Sequence, residues 1–202
     1  MIKVGLEKEM FLLREGKVQV VPYEIPSDEC GLLAEARGKA SLDVIEAVFS
    51  LKADMFRVCK LAEKNGYEVS DAPLMKITRD LQLKASRMYA KGLTKYENIY
   101  GYTRHLNKRN EQTAGVHISF SKEYEWKDIE DVIHTVKLNF DWLKIFKQLD
   151  EAFKDEIKEA KRRPGFYEIK PDGRIEYRSL PSNVNLEKVI EELQRILEDI
   201  ES

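Results

Sequence analysis

Cysteine and long apolar runs are both scarce in this chain of 202 residues. The two cysteines, Cys30 and Cys59, form no Cys-x-x-Cys pair, so their spacing offers neither a thiolate metal site nor a disulfide framework. Two isolated thiols predict a reducing, cytoplasmic location. No stretch reaches the length of a membrane span, and the N-terminus enters a predicted strand rather than a signal peptide. We therefore expect no membrane partner.

An excess of charge of either sign is also absent, because 34 basic and 36 acidic residues give a net charge of −2. A nucleic-acid partner is not expected without a basic excess. Neither a P-loop motif nor a Gly-x-Gly-x-x-Gly motif occurs, which excludes the nucleotide-binding folds that need them. No Pro- or Gly-rich linker divides the chain, so residues 1–202 are expected to form a single domain. Nothing in the sequence indicates an oligomeric state.

The spacing of apolar residues predicts an α+β fold. Alternation with period two predicts strands at 3–14, 18–23, 32–37, 67–70, 114–121, 165–170 and 174–180. Helical periodicity predicts helices at 42–65 with Ser41 as the N-cap, at 78–91, from 126 to about 161, and from 185 onwards. Hairpins and long crossovers favour an antiparallel sheet of about six strands, with helices packed on one face and the other face open.

Four of the predicted strands carry polar residues two positions apart, which places each pair on one face of its strand. The pairs are Glu7 and Glu9, Glu35 and Arg37, His117 and Ser119, and Glu176 and Arg178. Each pair alone fits a solvated strand face, an ion pair or a structural histidine. Together they predict a face with four carboxylates, which repel one another unless cations lie between them.

Oxygen-rich clusters with one imidazole and no thiolate suit Mg²⁺ or Mn²⁺. The sequence therefore predicts a metal site made by Glu7, Glu9, Glu35, His117 and Glu176.

The segment 93–111 mixes aromatic and basic residues. Its tyrosines lie among Arg104, Lys108 and Arg109, a composition that suits a nucleotide base and its phosphates. The same composition suits an ordinary solvated connection equally well. We take these three basic residues as candidates for binding the nucleotide.

Three short segments resemble the motifs of glutamate–cysteine ligases and, more broadly, of carboxylate–amine ligases with the glutamine synthetase-like fold. They are GLEKE at 5–9, AGVHISFS at 114–121 and RIEYRSL at 174–180. The stretch IPSDECG at 25–31, followed by EARG at 35–38, resembles the compact phage-type branch of that superfamily. The motifs span most of the chain and follow the family order. Ser119 departs from the pattern, because many members have histidine or another polar residue there, and glutamate–cysteine ligases are far longer.

The resemblance implies a glutamine synthetase-like catalytic fold and assigns roles to individual residues. The five predicted metal ligands match positions that hold two or three Mg²⁺ ions, and Arg178 matches the arginine beside the transferred phosphate. Asp28 matches an acid near the amine or thiol end of the substrate, and Arg37 is a further candidate for contacting the phosphate.

The function expected from this resemblance is an ATP- and Mg²⁺-dependent ligase that joins a carboxylate to an amine through an acyl phosphate. Its substrates would be amino acids or short peptides, whose identity the sequence does not give. Two alternatives stay open: a catalytically silent domain that binds nucleotide or metal, and a phosphagen-type kinase that stops at phosphoryl transfer.

Overall fold

The computed structural model describes residues 1–28, 30–89, 97–101, 110–127 and 133–201. The strands within these residues are β1 (Lys3–Arg14), β2 (Lys17–Val18), β3 (Ala34–Arg37), β4 (Glu68–Ser70), β5 (Leu74–Lys76), β6 (Glu97–Asn98), β7 (Glu111–Thr113), β8 (Gly115–Ser121), β9 (Glu123–Lys127), β10 (Ile133–Lys137), β11 (Phe166–Ile169) and β12 (Ile175–Pro181). The helices are α1 (Val44–Lys64), α2 (Arg79–Met88), α3 (Trp142–Ala152), α4 (Lys154–Glu159) and α5 (Leu186–Glu201). In the described ranges, no helix has both the length and the apolar character needed to cross a membrane.

The main sheet is antiparallel and is built around β1. Its order is β2-β1-β8-β12-β11-β6, and β3 and β4 also pair with β1. In the described part of the chain the sheet thus has eight strands, where about six were predicted, because the 12-residue β1 takes different partners along its length. Strand β8 pairs with residues 3–8 of β1, and β3 pairs with residues 7–10 along the other edge. The short strands β4 and β2 pair with residues 11–14. The predicted α+β class with an antiparallel sheet is confirmed.

The larger apolar core lies between this sheet and helices α1, α3, α4 and α5. Alternate residues of β1, including Leu6 and Met10, face this core together with Ile118 and Phe120 of β8. Their helical counterparts include Leu51 and residues of the other three helices. Burial on this side fixes the register of every central strand, because a slip of one residue would turn the apolar set to the opposite face.

The opposite face of the sheet is open only in part, and one helix packs there. Phe11 lies two positions after Glu9 and therefore shares its face. It belongs to a second apolar cluster with Leu33, Ile77 of the β5–α2 connection and Ala85 of α2. The prediction that helices pack on one face alone is thus wrong for α2, which covers the end of the polar face beyond Glu9.

The predicted helix from 126 to about 161 is wrong in its first part. Strands β9 and β10 form an antiparallel hairpin there, and the helical region begins at Trp142. The segment around β10 is rich in β-branched residues, which lose little freedom in a strand and more in a helix. Asp141 then caps α3 by accepting a hydrogen bond from the backbone N–H of Lys144 at 3.0 Å, which sets the start of that helix.

Helix α1 stops where predicted, with Asn65 as its C-cap, but its N-cap is Asp43 and not Ser41. The Asp43 carboxylate accepts a hydrogen bond from the N–H of Ile45 at 2.7 Å, as a cap residue does. Ser41 instead forms a β-bridge with Val4. The helix therefore begins two residues later than expected. The predicted buried stripe of this helix is also wrong in part, because Phe49 and Phe56 are 62% and 67% exposed.

Candidate metal centre

The register of the central strands brings the predicted ligands side by side on one face. On β1, Glu7 lies between Arg37 of β3 and His117 of β8, and Glu9 lies opposite Glu35. On the far side of β8, Glu176 of β12 lies opposite Ser119. The predicted shared face is therefore present in the structure.

Glu7, His117 and Glu176 come close enough to bind one ion. Each of them offers a ligand atom, and these atoms all lie within 4.8 Å of one another. His117 Nδ1 is buried and has no hydrogen-bond partner in the part of the chain that the structure describes. It lies 3.7 Å from Glu176 Oε1, and His117 Nε2 lies 3.6 Å from Glu9 Oε2.

The protonation state of His117 suits a ligand. Burial, with the nearby positive charges of Arg178, Arg162 and Lys170, lowers the pKa of His117 well below its usual value. The ring is therefore neutral near pH 7 and keeps a nitrogen lone pair for a metal. Two carboxylates and one imidazole, with an orphaned buried nitrogen among them, are a donor set that Mn²⁺ or Mg²⁺ accepts.

The carboxyl groups of the cluster resist ionisation. Burial raises the pKa of Glu9 to about 8, with the charge of Arg178 opposing the rise. Burial and a hydrogen bond with Glu35 raise the pKa of Glu7 to about 7. Burial also raises the pKa of Glu176. In the absence of a metal Glu9 is mostly protonated and Glu7 partly protonated near neutral pH, and a divalent cation would replace those protons.

Two further members of the cluster, Glu168 and Lys170, were missed by the sequence analysis. Glu168 lies on β11 directly opposite Glu176, and Lys170 immediately follows the last residue of that strand. Lys170 Nζ lies 3.0 Å from Glu168 Oε2 and 3.2 Å from Glu176 Oε2. The predicted hairpin at 165–180 contained the necessary information, because the pairing across its turn fixes which residues face Glu176.

The guanidinium of Arg178 lies at the centre of these acids. It donates a hydrogen bond to Glu176 Oε1 and another, 3.1 Å long, to Glu168 Oε2, and its Nη2 lies 3.9 Å from Glu9 Oε1. Arg37 forms a two-pronged pair with Glu35, at 2.9 and 3.0 Å.

The whole cluster contains five carboxylates and three cationic side chains. They are Glu7, Glu9, Glu35, Glu168 and Glu176, and Arg37, Lys170 and Arg178. If every group is ionised, two negative charges are left without compensation, which equals the charge of one divalent cation.

Arg162 fixes the backbone from which Arg178 projects. Its guanidinium donates hydrogen bonds to the carbonyl oxygens of Ala114 at 3.0 Å, Arg178 at 2.6 Å and Ser179 at 3.0 Å. The pairing of β12 with β8 is irregular here, with a shift between Tyr177 and Leu180. Arg162 thus binds the carbonyl oxygens of Arg178 and Ser179 within this irregularity, and no sequence motif indicated that role.

Asp28 lies near the cluster, but its oxygens are used locally. Oδ1 accepts hydrogen bonds from the N–H groups of Leu32 and Leu33, at 3.2 and 3.1 Å, and Oδ2 accepts one from Cys30 Sγ at 2.5 Å. Burial raises the pKa of Asp28. The negative charge of Asp28 also contributes to the raised pKa of Glu9. Arg104, Lys108 and Arg109, the candidates for binding the nucleotide, lie outside the described residues.

Comparison with known proteins gives no match: no protein-family model fits the sequence, and no curated protein or solved structure is significantly similar to it.

Proposed function

We propose that this protein is an ATP- and Mg²⁺-dependent ligase that joins a carboxylate to an amine through an acyl phosphate. The observation that carries the proposal is the convergence of Glu7, His117 and Glu176 within 4.8 Å, beside the guanidinium of Arg178. The motif resemblance supplies the reaction class, and the glutamine synthetase-like fold belongs to the same proposal. A scaffold or a pure binding module has little use for so many buried acids beside an arginine.

The reaction brings two anions together, which explains the chemistry of the site. The γ-phosphoryl group of ATP passes to the substrate carboxylate, ADP leaves, and the amine attacks the acyl carbon with loss of phosphate and a proton. A Mg²⁺ or Mn²⁺ ion held by Glu7, His117 and Glu176, with Glu9 and Glu35 beside them, supplies positive charge that screens the phosphate oxygens.

Besides the metal ion, the side chains of Arg178 and Lys170 provide positive charge at the site. Arg178 is held by Glu176 and Glu168, so its planar guanidinium has a defined orientation before a substrate arrives. Charge develops on the oxygens of the transferred group during the reaction, and a pre-oriented guanidinium stabilises that charge. Arg37, more exposed at the rim, is suited to attract the incoming anion.

A proton must leave the amine before or during its attack. Glu9 can accept that proton in its ionised form, which a divalent cation bound beside it would favour, and its pKa of about 8 in the metal-free site shows that it holds a proton well. Asp28, the acid suggested by the resemblance, lies near Glu9 and is bound to the backbone of the loop that follows it, so we assign it to placing that loop beside the substrate amine.

A coupled assay tests the reaction class. The purified protein is incubated with ATP, Mg²⁺ and a panel of amino acids and short peptides, and the release of ADP and phosphate is measured. A ligase releases ADP only when carboxylate and amine are both present, whereas a kinase needs one acceptor alone. Hydroxylamine should trap the acyl phosphate as a hydroxamate. Absence of ADP release with every pair would remove the ligase proposal.

The cytoplasm is the proposed location, and amino acids or peptides, as small-molecule substrates, are the proposed partners. Both cysteines are thiols that no disulfide joins, a state typical of a reducing compartment.

A further inference from the structure

A second cavity lies apart from the carboxylate cluster, at the end of α3, along α4 and under the segment that leads to β11. Its volume is about 550 Å³, within the range of small-molecule sites. None of the five predicted metal ligands lines it. The residues that matter to its chemistry are a buried aspartate, Asp150, and several lysines around it.

The lining of this cavity is strongly basic. Lys154 and Lys158 are four residues apart and therefore share a face of α4, and Lys147 and Lys161 also line the cavity. Lys154 pairs with Glu151 at 2.7 Å. Among the described residues, no carboxylate lies within 4.0 Å of the ammonium groups of Lys147, Lys158 or Lys161. Like charges that share a site favour an anionic ligand.

Asp150 gives the cavity a second, opposite preference. This residue is 6% exposed, and its Oδ1 accepts hydrogen bonds from the Tyr177 hydroxyl at 2.6 Å and from the Gly165 N–H at 3.0 Å. Its other oxygen, Oδ2, is buried and has no partner at ordinary hydrogen-bond distance among the described residues. Burial raises the pKa of Asp150, and the hydroxyl groups of Tyr177 and Tyr100 and the Gly165 N–H oppose that rise. A buried acceptor without a donor is costly, and a ligand N–H group would relieve that cost.

We propose that this cavity binds a small zwitterion of the amino-acid class. The ammonium group of this ligand donates a hydrogen bond to Asp150 Oδ2. Its carboxylate lies among the lysines that line the cavity, which are Lys147, Lys154, Lys158 and Lys161. A purely anionic ligand such as glutarate would leave Oδ2 without a donor and would be repelled by the carboxylate of Asp150. This inference does not depend on the proposed ligase reaction, because the cavity and the metal centre use different residues.

Calorimetric titration without ATP or metal tests the proposal directly. The free amino acids are the probes, together with glutarate, which matches L-glutamate but lacks the ammonium group. At least one amino acid should bind saturably in the micromolar to millimolar range. When L-glutamate binds, glutarate should bind at least tenfold more weakly. If no amino acid saturates the protein below about 10 mM, the proposal is overturned, and equal binding of glutarate and L-glutamate would overturn it too.

Two variants identify the site. Asp150→Asn keeps the Oδ1 acceptor and the shape but puts an N–H donor in place of Oδ2, so it should weaken amino-acid binding at least tenfold. Lys158→Gln, an exposed change that the fold should tolerate, should weaken it several-fold. Lys84→Gln on α2 removes the same charge outside the cavity and should leave binding unchanged. Unaltered affinity in Lys158→Gln, or in a folded Asp150→Asn, would overturn the assignment.

A further variant separates this proposal from the ligase proposal. Glu176→Gln alters the metal centre and not the cavity, so it should bind the amino acid with unchanged affinity even if it lacks all ATP-dependent activity. A parallel loss of amino-acid binding in this variant would mean that the ligand occupies the metal face instead.

Discussion

At the scale of single residues, Arg178 carries the sharpest prediction about chemistry. Lysine at this position keeps the charge but loses the planar group that donates to Glu176 and Glu168 at once. We expect Arg178→Lys to lower kcat on the order of a hundredfold, as the loss of one transition-state donor does, while KM for ATP changes less. Arg174→Lys, four residues earlier on the same hairpin, is the matched control and should keep normal kinetics. Near-normal turnover in Arg178→Lys would reduce Arg178 to a structural partner of Glu176.

Glu9 allows a test of whether the acid cluster costs stability. Its pKa of about 8 means that the carboxyl group is mostly protonated at pH 7, so glutamine resembles its native state there. The amide oxygen can still accept the hydrogen bond from the Gly115 N–H, which is 2.8 Å long with Glu9. We expect metal-free Glu9→Gln to be as stable as the native protein at pH 7 and more stable at pH 9, as measured by urea unfolding. A clear loss of stability at both pH values would show that the carboxyl group is needed for the fold.

The same pKa values predict how stability depends on pH. Glu7 and Glu9 have folded-state pKa values of about 7 and about 8, above those of an unfolded chain. Between pH 5 and pH 8 the folded state therefore binds more protons than the unfolded state, so the free energy of unfolding should fall as pH rises. The expected loss for the metal-free protein is on the order of a few kcal/mol. Mn²⁺ should offset this loss, and the stability that it adds should grow as pH rises, because the ion replaces the protons that are lost.

Melting curves from pH 5 to pH 9, with EDTA and with Mn²⁺, check this dependence. The double variant Glu7→Gln, Glu9→Gln should show a flatter curve with EDTA. A metal-free protein whose stability rises steadily over this range would contradict the buried-acid description.

At the scale of structural elements, Arg162 connects the end of α4 to the irregular part of β12. Its guanidinium binds three carbonyl oxygens, and the shorter, single-centred ammonium of lysine cannot reach all of them. We expect Arg162→Lys to lower the free energy of unfolding by about 2–4 kcal/mol. It should also lower kcat, because the backbone of Arg178 loses its support. Arg195→Lys on the exposed face of α5 is the control and should change neither quantity; an unaffected Arg162→Lys would show that water replaces these hydrogen bonds.

The sequence predicts best those elements that bury one face in the core and leave the other face polar, because their apolar residues then follow a regular spacing. Strands β1, β8 and β12 alternate cleanly, so the sequence alone predicts which of their residues share the polar face. The prediction of a helix at 126–161 is wrong in its first part because the positions of Ile133 and Val136 fit the apolar stripe of a helix and a strand equally well. Their β-branched side chains favour the strand. Assigning Glu168 and Lys170 to the site requires the pairing register of the hairpin as well as the position of its strands. Arg162 binds backbone carbonyl groups, which every residue has, so no pattern of residue types indicates its role.

At the scale of the whole molecule, the proposed metal ligands come from β1, β8 and β12, which are distant in sequence. Their geometry exists only when the central sheet is formed, so a bound ion should stabilise the fold against global unfolding. At a concentration 100 times its Kd, the ion should add about 2.7 kcal/mol. For a chain of this size the expected rise in Tm is roughly 5–10 °C.

Thermal unfolding in the presence of Mn²⁺ or Mg²⁺ with ATP, followed by circular dichroism and by tryptophan fluorescence, measures this effect. Both signals should shift together. Glu176→Gln should abolish the shift, and Glu68→Gln on β4 should preserve it. An unchanged Tm of the native protein up to 10 mM Mn²⁺ would show that the cluster holds no ion.

The central position of β1 also has a consequence for synthesis on the ribosome. The strands β2, β3 and β4, which also pair with β1, precede β8 along the chain, and β8 begins only at Gly115. At typical elongation rates, one edge of β1 waits roughly 5–20 s for this partner. Unpaired strand edges recruit other chains unless charges discourage pairing, and this edge carries Glu7 and Glu9 on one side and Lys3 and Lys8 nearby. The acids that form the candidate metal centre would thus first protect the nascent strand from aggregation.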